Sequence, residues 1–495
     1  VEIDSARSFL DPGKNLWSVS MPNLHVSRRE LLVSSTAALL LPGMHVAAAA
    51  PRPNILFIMA DDLGFADISC YGRTDYRTPS IDGLAASGMR FTQAYANSAV
   101  CSATRVGLIT GRYQNRLPIG LEEPLGRRDV GLPPSHPTLP SLLRKAGYQT
   151  ALVGKWHMGA LPKYGPLQSG YDHFWGFRGG GLDYFHHSFM GEPDLWDDDR
   201  AIEKPGYLTD LIGDRAIAMI GGYATTHQPF FMSLHFNAPH WPWEGPEDEA
   251  EARRLSASTE KFAVFDSDGG SQKTYAAMVT RMDMQIGRIL DALDRHGLAH
   301  NTIVIFTSDN GGERYSNTWP FTGKKTELLE GGLRIPSVIR WPGRIKPGTV
   351  SQQVTISMDW MPTLLAAGGA APDPAFPPDG IDLTPALFGH ASPISRKLFW
   401  RYLNLSQEAC RDGDWKYLKI LDNTFLFNVV DDPLERANLK NREPAHYARL
   451  QAEYQAWDAS MLPLDPAAST SGFTGKQVAD HFGIVDSRTT SHPND

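Results

Sequence analysis

Five short, largely apolar runs limit most strongly how this chain folds: Ile55 to Met59, Thr150 to Val153, Phe230 to Leu234, Ile303 to Phe306 and Ser337 to Ile339. Strands that are apolar along their whole length, rather than at every second position, are buried on both faces. Helical patterns stand between them. The clearest places Met278, Met282, Ile286, Ile289 and Leu293 on one face and closes at Gly297, and a second runs from Ser141 to Ala146 and ends at Gly147. This alternation predicts an α/β fold, a large and mostly parallel sheet sandwiched by helices. Ligands of such sheets bind outside the carboxyl ends of the strands, so chemistry is sought immediately after each run.

Two of those ends carry hard donors. The first run leads into Asp61 and Asp62, and the fourth into Asp309 and Asn310. An all-oxygen set suits calcium or magnesium and is poor for zinc. Taken singly, the aspartate pair reads equally as a helix cap, and Asp309, Asn310, Gly311 as a turn. Taken together, carboxylates packed at neighbouring strand ends repel unless a cation offsets them.

Composition narrows the class. With 47 Lys and Arg against 55 Asp and Glu, the formal charge of −8 offers no basic surface for nucleic acid. The chain's 42% hydrophobic residues are enough for a sizeable core, and no run of about 18 apolar residues in its body predicts stable membrane insertion. Cys70, Cys101 and Cys410 cannot build a disulfide framework, so at least one thiol is unpaired.

At the N-terminus, Arg28 and Arg29 precede an apolar stretch through Leu41 and a small-residue end at Ala47 to Ala50. That is the pattern of a bacterial twin-arginine export signal, which predicts a folded protein sent to the periplasm or beyond. The alternative, a buried first helix, is interrupted by Pro42 and Gly43. Residues 1–50 are therefore assigned to an upstream stretch and signal, and 51–389 to the α/β domain. Further on, Leu398 to Tyr402, Trp415 to Ile420 and Phe425 to Phe427 read as short antiparallel strands before a helix near Ala445 to Trp457. They predict a smaller α+β domain at 390–462, and 463–495 reads as a polar tail or strap.

A lone cysteine is usually a small buried hydrophobe. Cys101 instead opens a predicted helix, in Cys101, Ser102, Ala103, Thr104, Arg105, followed by Thr110, Gly111, Arg112. A helix N-terminus beside an arginine favours anions and leaves a thiol open to chemistry.

This segment resembles the sulfatase family of the alkaline-phosphatase-like superfamily. There, Cys-x-Pro-x-Arg or Cys-x-Ala-x-Arg, followed by Thr-Gly-Arg, marks a cysteine that a maturation enzyme oxidises to formylglycine. Ala103 stands where proline is commoner, which bears on the class of maturation enzyme. Further matches follow in the family's order: Gly154, Lys155, Trp156, His157; Pro239, His240, Trp241, Pro242; and Lys325 through Glu330, Gly331, Gly332, Leu333, Arg334, Ile335, Pro336. A Gly413, Asp414, Trp415, Lys416, Tyr417 strand completes the resemblance, which covers residues 53 to 460.

The resemblance implies hydrolysis of an aryl or carbohydrate sulfate ester by a hydrated formylglycine at position 101. Asp61, Asp62, Asp309, Asn310 and the modified Cys101 would hold one divalent cation, calcium before magnesium. Lys155, His240 and Lys325 would clamp sulfate, and Arg105 would hold the diol. His240 or Lys325 would protonate the leaving alcohol, and His157 would take the proton that lets sulfate depart. Lys325 is preferred over Lys324 only by its spacing to Glu330. Tyr164, Tyr184, His186, His187, Trp196, Trp241 and Trp243 read either as a sugar or aryl pocket or as loop anchors. One rival is a phosphodiesterase or phosphonate monoester hydrolase of the same superfamily. A non-catalytic binder of sulfated glycans is the other, and it sits badly with Lys155, His157 and His240.

Overall fold

The computed structural model describes residues 52–124, 128–189, 191–257, 269–389 and 393–470. The twin-arginine segment and the tail beyond Thr470 lie outside them. The described residues belong to one compact unit. Its main sheet uses β1 (Asn54–Ala60), β2 (Met89–Phe91), β3 (Gln149–Lys155), β4 (His173–Phe177), β5 (Trp196–Asp197), β6 (Arg200–Ala201), β7 (Phe230–His235), β8 (Thr302–Ser308), β9 (Ser337–Arg340) and β10 (Thr349–Ser351). Their order across the sheet is β10-β2-β9-β8-β1-β7-β3-β4-β5-β6.

The central strands β8, β1, β7, β3 and β4 are parallel, as the apolar runs predict. The fifth run departs from that expectation, because β9 lies antiparallel to both β8 and β2. Strand residues alternate between two cores. Leu56, Ile58, Val304 and Phe306 face α1 (Pro79–Ala86), α4 (Leu208–Tyr223) and α5 (Gln272–Arg295). Ile55, Phe57, Met59, Ile303 and Ile305 face α2 (Cys101–Thr110), α3 (Leu139–Lys145) and α6 (Trp360–Ala367). Both faces are thus dry, at about 1.5–3 kcal/mol for each large side chain withdrawn from water. Met278, Met282, Ile286, Ile289 and Leu293 are all buried on α5, and Gly297 follows it with φ +69°.

A second sheet of four antiparallel strands follows: β11 (Lys397–Tyr402), β12 (Gln407–Asp412), β13 (Trp415–Ile420) and β14 (Asn423–Asn428). It packs under α7 (Pro444–Asp458). The sequence reading anticipated three of these strands and missed β12. A third core joins this sheet to the main body through Tyr95, Ala99, Val100, Leu328 and Leu333. Among the described residues, no helix is long and apolar enough to cross a membrane.

Candidate active site

Register brings the site together. Ala60 pairs with Ser308, Met59 with His235, and His235 with Gly154, so β1, β8, β7 and β3 end side by side. Asp61, Asp309 and Lys155 therefore emerge at one level. Asp62 has φ +62°, which breaks the strand alternation and lets two consecutive carboxylates enter the same space. Gly154 has φ +109°, and a Cβ there would lie 1.8 Å from the His235 carbonyl oxygen. Only glycine fits this close approach between neighbouring strands just before Lys155.

Cys101 is the first residue of α2, behind an extended Val100. Its Sγ lies 3.9 Å from Asp62 Oδ1. The side chain is 2% exposed, which corrects the expectation of an accessible thiol. Burial raises its pKa well above the usual thiol value despite Lys155 and Lys325 nearby. Desolvation here outweighs the helix terminus, so unmodified Cys101 is a neutral thiol and a poor nucleophile.

Three cations answer three buried carboxylates. Lys155 Nζ donates to Asp61 Oδ2 at 2.6 Å, Lys325 Nζ to Asp62 Oδ2 at 2.6 Å, and Arg105 Nη2 to Asp309 Oδ2 at 2.8 Å. Burial works against the Lys155 and Lys325 ammonium groups, but Asp61 and Asp62 beside them raise both pKa values. Burial and the neighbouring carboxylates lift Asp61, while Arg105 and Lys155 overcome burial to hold Asp309 below its usual value.

Two histidines complete the floor. His240 Nδ1 lies 2.6 Å from the Trp241 carbonyl, which assigns its proton to Nδ1 and turns the Nε2 lone pair to Lys325 Nζ at 3.3 Å. His157, at φ +54°, is buried with neither ring nitrogen hydrogen-bonded. Burial, then Lys155 and Arg105, pushes its pKa well below 6.5, so it is a neutral ring able to accept a proton. The His157 ring would be 2.8 Å from a Cβ at Gly180, so that glycine makes room for it.

Ligand atoms of Asp61, Asp62, Cys101 and His240 all lie within 4.8 Å of one another. Asn310 Nδ2 donates to Asp62 Oδ1 at 2.7 Å, and the Asp62 backbone N–H donates to Asp309 Oδ1 at 3.2 Å. Asp61 Oδ1 and Asn310 Oδ1 are buried without a hydrogen-bond partner. Orphaned hard oxygens beside a carboxylate cluster fit a divalent cation.

Every residue singled out for chemistry is in this cluster. Lys324 is not, since its Nζ donates to the Arg314 carbonyl. Two neighbours were missed. His235 lies within 3.3 Å of Arg105 Nη1, and Glu313 lies 3.9 Å from Lys325 Nζ. His235 immediately follows an apolar run, where the strand-end rule points. Of the aromatic candidates, Tyr184 is an anchor, its hydroxyl bonding the Asn237 and His240 carbonyls. Trp243 packs on Tyr315, and His187 Nε2 reaches the Gly206 carbonyl. Trp241, half-buried with its ring centroid 4.4 Å from that of His240, borders the site.

Buried lysines, an arginine, carboxylates, histidines and a cysteine are thus gathered at the carboxyl ends of parallel strands in an α/β fold. The sulfatase family model matches residues 53–370. N-acetylgalactosamine-6-sulfatase of Canis lupus familiaris is 31% identical over 387 residues, 73% of this chain and 70% of its own. Steryl-sulfatase of Rattus norvegicus is 31% identical over 538 residues, 87% of this chain and 93% of its own. Among solved structures, Ps i-CgsB in complex with k-i-k-neocarrahexaose aligns with a TM-score of 0.76 at 30% identity, covering 84% of this chain and 95% of that one. The chain belongs to the sulfatase family, whose members are formylglycine-dependent and use a metal ion, and it is a sulfuric ester hydrolase.

Proposed function

We propose that this enzyme hydrolyses a carbohydrate sulfate ester through formylglycine made from Cys101, with one calcium ion. The observation that carries the reading is Cys101 at the head of α2, inside the Asp61, Asp62 and His240 cluster, with Lys155 and Lys325 at its edge. The sugar in the name of N-acetylgalactosamine-6-sulfatase and the neocarrahexaose bound to Ps i-CgsB support a sugar substrate, against the sterol in the name of steryl-sulfatase.

Asp61, Asp62, Asp309, Asn310 and residue 101 would hold the ion. Bound there, it supplies positive charge that acidifies a ligated oxygen and offsets charge on sulfate. Hydrated formylglycine supplies one oxygen to attack sulfur and a second hydroxyl that lets sulfate leave. The chain's own groups do the rest. Lys155 and Lys325 bind sulfate oxygens, in a buried space where such contacts strengthen as charge develops. His240, with Nδ1 on the Trp241 carbonyl and its Nε2 lone pair on Lys325, orients that lysine instead of clamping sulfate as the resemblance implied. Arg105, fully buried and bonded to Asp309, keeps that carboxylate ionised and in place. Lys325, hydrogen-bonded to His240 Nε2, is placed to protonate the leaving oxygen. Neutral His157 accepts the proton released when sulfate departs.

At 2% exposure Cys101 is closed to an enzyme in the folded protein, so the maturation enzyme acts before folding. Export through the Arg28, Arg29 segment would follow, and changing both to Lys should hold the protein in the cytoplasm. The function is tested by rates on sulfated mono- and oligosaccharides, an aryl sulfate, a phosphate diester and a phosphonate ester. Preference for a sugar sulfate supports it; faster turnover of the diester or phosphonate contradicts it.

A further inference from the structure

Lys325 reaches the site from a segment that the second sheet holds. Gln407, the first residue of β12, is buried. Its Oε1 accepts the Leu328 backbone N–H at 2.8 Å, and its Nε2 donates to the Thr326 carbonyl at 2.8 Å and the Asn404 carbonyl at 3.0 Å. This pattern admits only one amide orientation, since a flip would set donor against donor.

Thr326, whose carbonyl takes one of those contacts and which is next to Lys325, has φ +71°. A β-branched residue is strained in this region and stays there only when its surroundings over-determine it. The surroundings are specific. Thr326 N–H donates to the Ala99 carbonyl at 2.8 Å, two residues before Cys101, and Lys325 N–H donates to the Gly312 carbonyl at 3.0 Å, two residues after Asn310. Thr326 therefore ties the Lys325 segment to the start of α2 on one side and, through Gln407, to the second sheet on the other. From that fixed backbone, Lys325 Nζ meets Asp62 and His240.

We infer that Gln407 is a positioning residue for Lys325: by holding the Thr326 carbonyl and the Leu328 N–H just after the left-handed residue, it sets the backbone from which Lys325 reaches sulfate. The inference rests on the reading of Lys325 as a sulfate-binding group. It makes the second sheet a working part of the active site, although none of its residues need touch substrate.

A double-mutant cycle on the full-length, matured enzyme separates positioning from general support. The variants are Gln407→Met, Lys325→Ala and the pair, assayed with 4-nitrophenyl sulfate and with inorganic sulfate as inhibitor. Gln407→Met should raise KM and the sulfate inhibition constant about tenfold and lower kcat/KM ~30-fold, as for a misplaced binding group. Once Lys325 is alanine, the same change should add no more than about twofold. Gln407→Glu keeps the acceptor and loses the donor to Thr326, and it carries the cycle if the methionine variant does not fold. An additive cycle, with equal losses whether or not Lys325 is present, overturns the positioning role alone. An unchanged sulfate inhibition constant in Lys325→Ala overturns both that role and the reading of Lys325.

Discussion

Replacing Lys416 by methionine tests the buried charges behind the active site. Its Nζ lies 3.0 Å from Glu330 Oε1 and 2.8 Å from Glu435 Oε1, and all three side chains are fully buried. Burial pushes Glu330 up, but Lys416, Arg334 and Arg411 outweigh it and hold its carboxyl well below the usual range. Burial lifts Glu435 from 4.5 to about 7, with Lys416 opposing and Glu330 adding to the rise. Removing one partner of a buried ion pair costs about 3–5 kcal/mol, and methionine fills most of the space, so the cavity contribution is small. Some of that cost is relieved when Glu435 takes a proton. A carboxyl raised on folding contributes stability below its unfolded pKa and loses it as pH rises through the folded one. In the wild type that loss spans 4.5 to about 7. Without Lys416 the folded pKa moves higher, and the loss continues above pH 7 at about 1.4 kcal/mol per unit. The variant should therefore be less stable by about 3 kcal/mol near pH 6.5 and by about 1 kcal/mol more at pH 8. Urea unfolding followed by tryptophan fluorescence measures both, and adding Glu435→Gln should recover the pH-dependent part. A difference under about 1 kcal/mol at both pH values, or one that narrows as pH rises, would refute the reasoning.

Gly154→Ala should lower stability by more than about 3 kcal/mol, read as a fall in Tm, because it combines a backbone clash with a positive φ. Near-native stability would contradict the close approach to His235. Chelation should abolish activity and added calcium restore it, with about 2.7 kcal/mol of stabilisation at a hundred times Kd. Stoichiometric zinc in fully active protein would exclude the hard-cation site. His157→Ala should give a burst of alcohol equivalent to enzyme and then near-arrest, because only the second half of the reaction needs that base. Linear release at a uniformly reduced rate would place His157 elsewhere in the cycle.

The legible parts of the fold were those written in uninterrupted apolar runs, because burial on both faces leaves no other composition for β1, β3, β7 and β8. β12 escaped notice for the opposite reason. Its buried Gln407 and Arg411 are polar, and partners distant in sequence satisfy them: the Leu328 N–H and Thr326 carbonyl for one, and Tyr95 and Gln93 for the other. The antiparallel direction of β9 was equally hidden, since strand direction leaves no mark in a short apolar segment. The site was legible where chemistry sits at strand ends, as with Asp61, Asp62, Asp309 and Asn310. The state of Cys101 was not, because local sequence shows a helix terminus and an arginine but not the burial that outweighs them.

The central claim, that residue 101 works as formylglycine, is tested most directly by the mass of the peptide containing it, measured alongside specific activity across preparations converted to different extents. The account predicts a peptide lighter than the cysteine form by about 18 Da, one sulfur and two hydrogens lost and one oxygen gained, with activity proportional to its fraction. Full activity in protein whose residue 101 is wholly cysteine, or retained activity in Cys101→Ala, would contradict it.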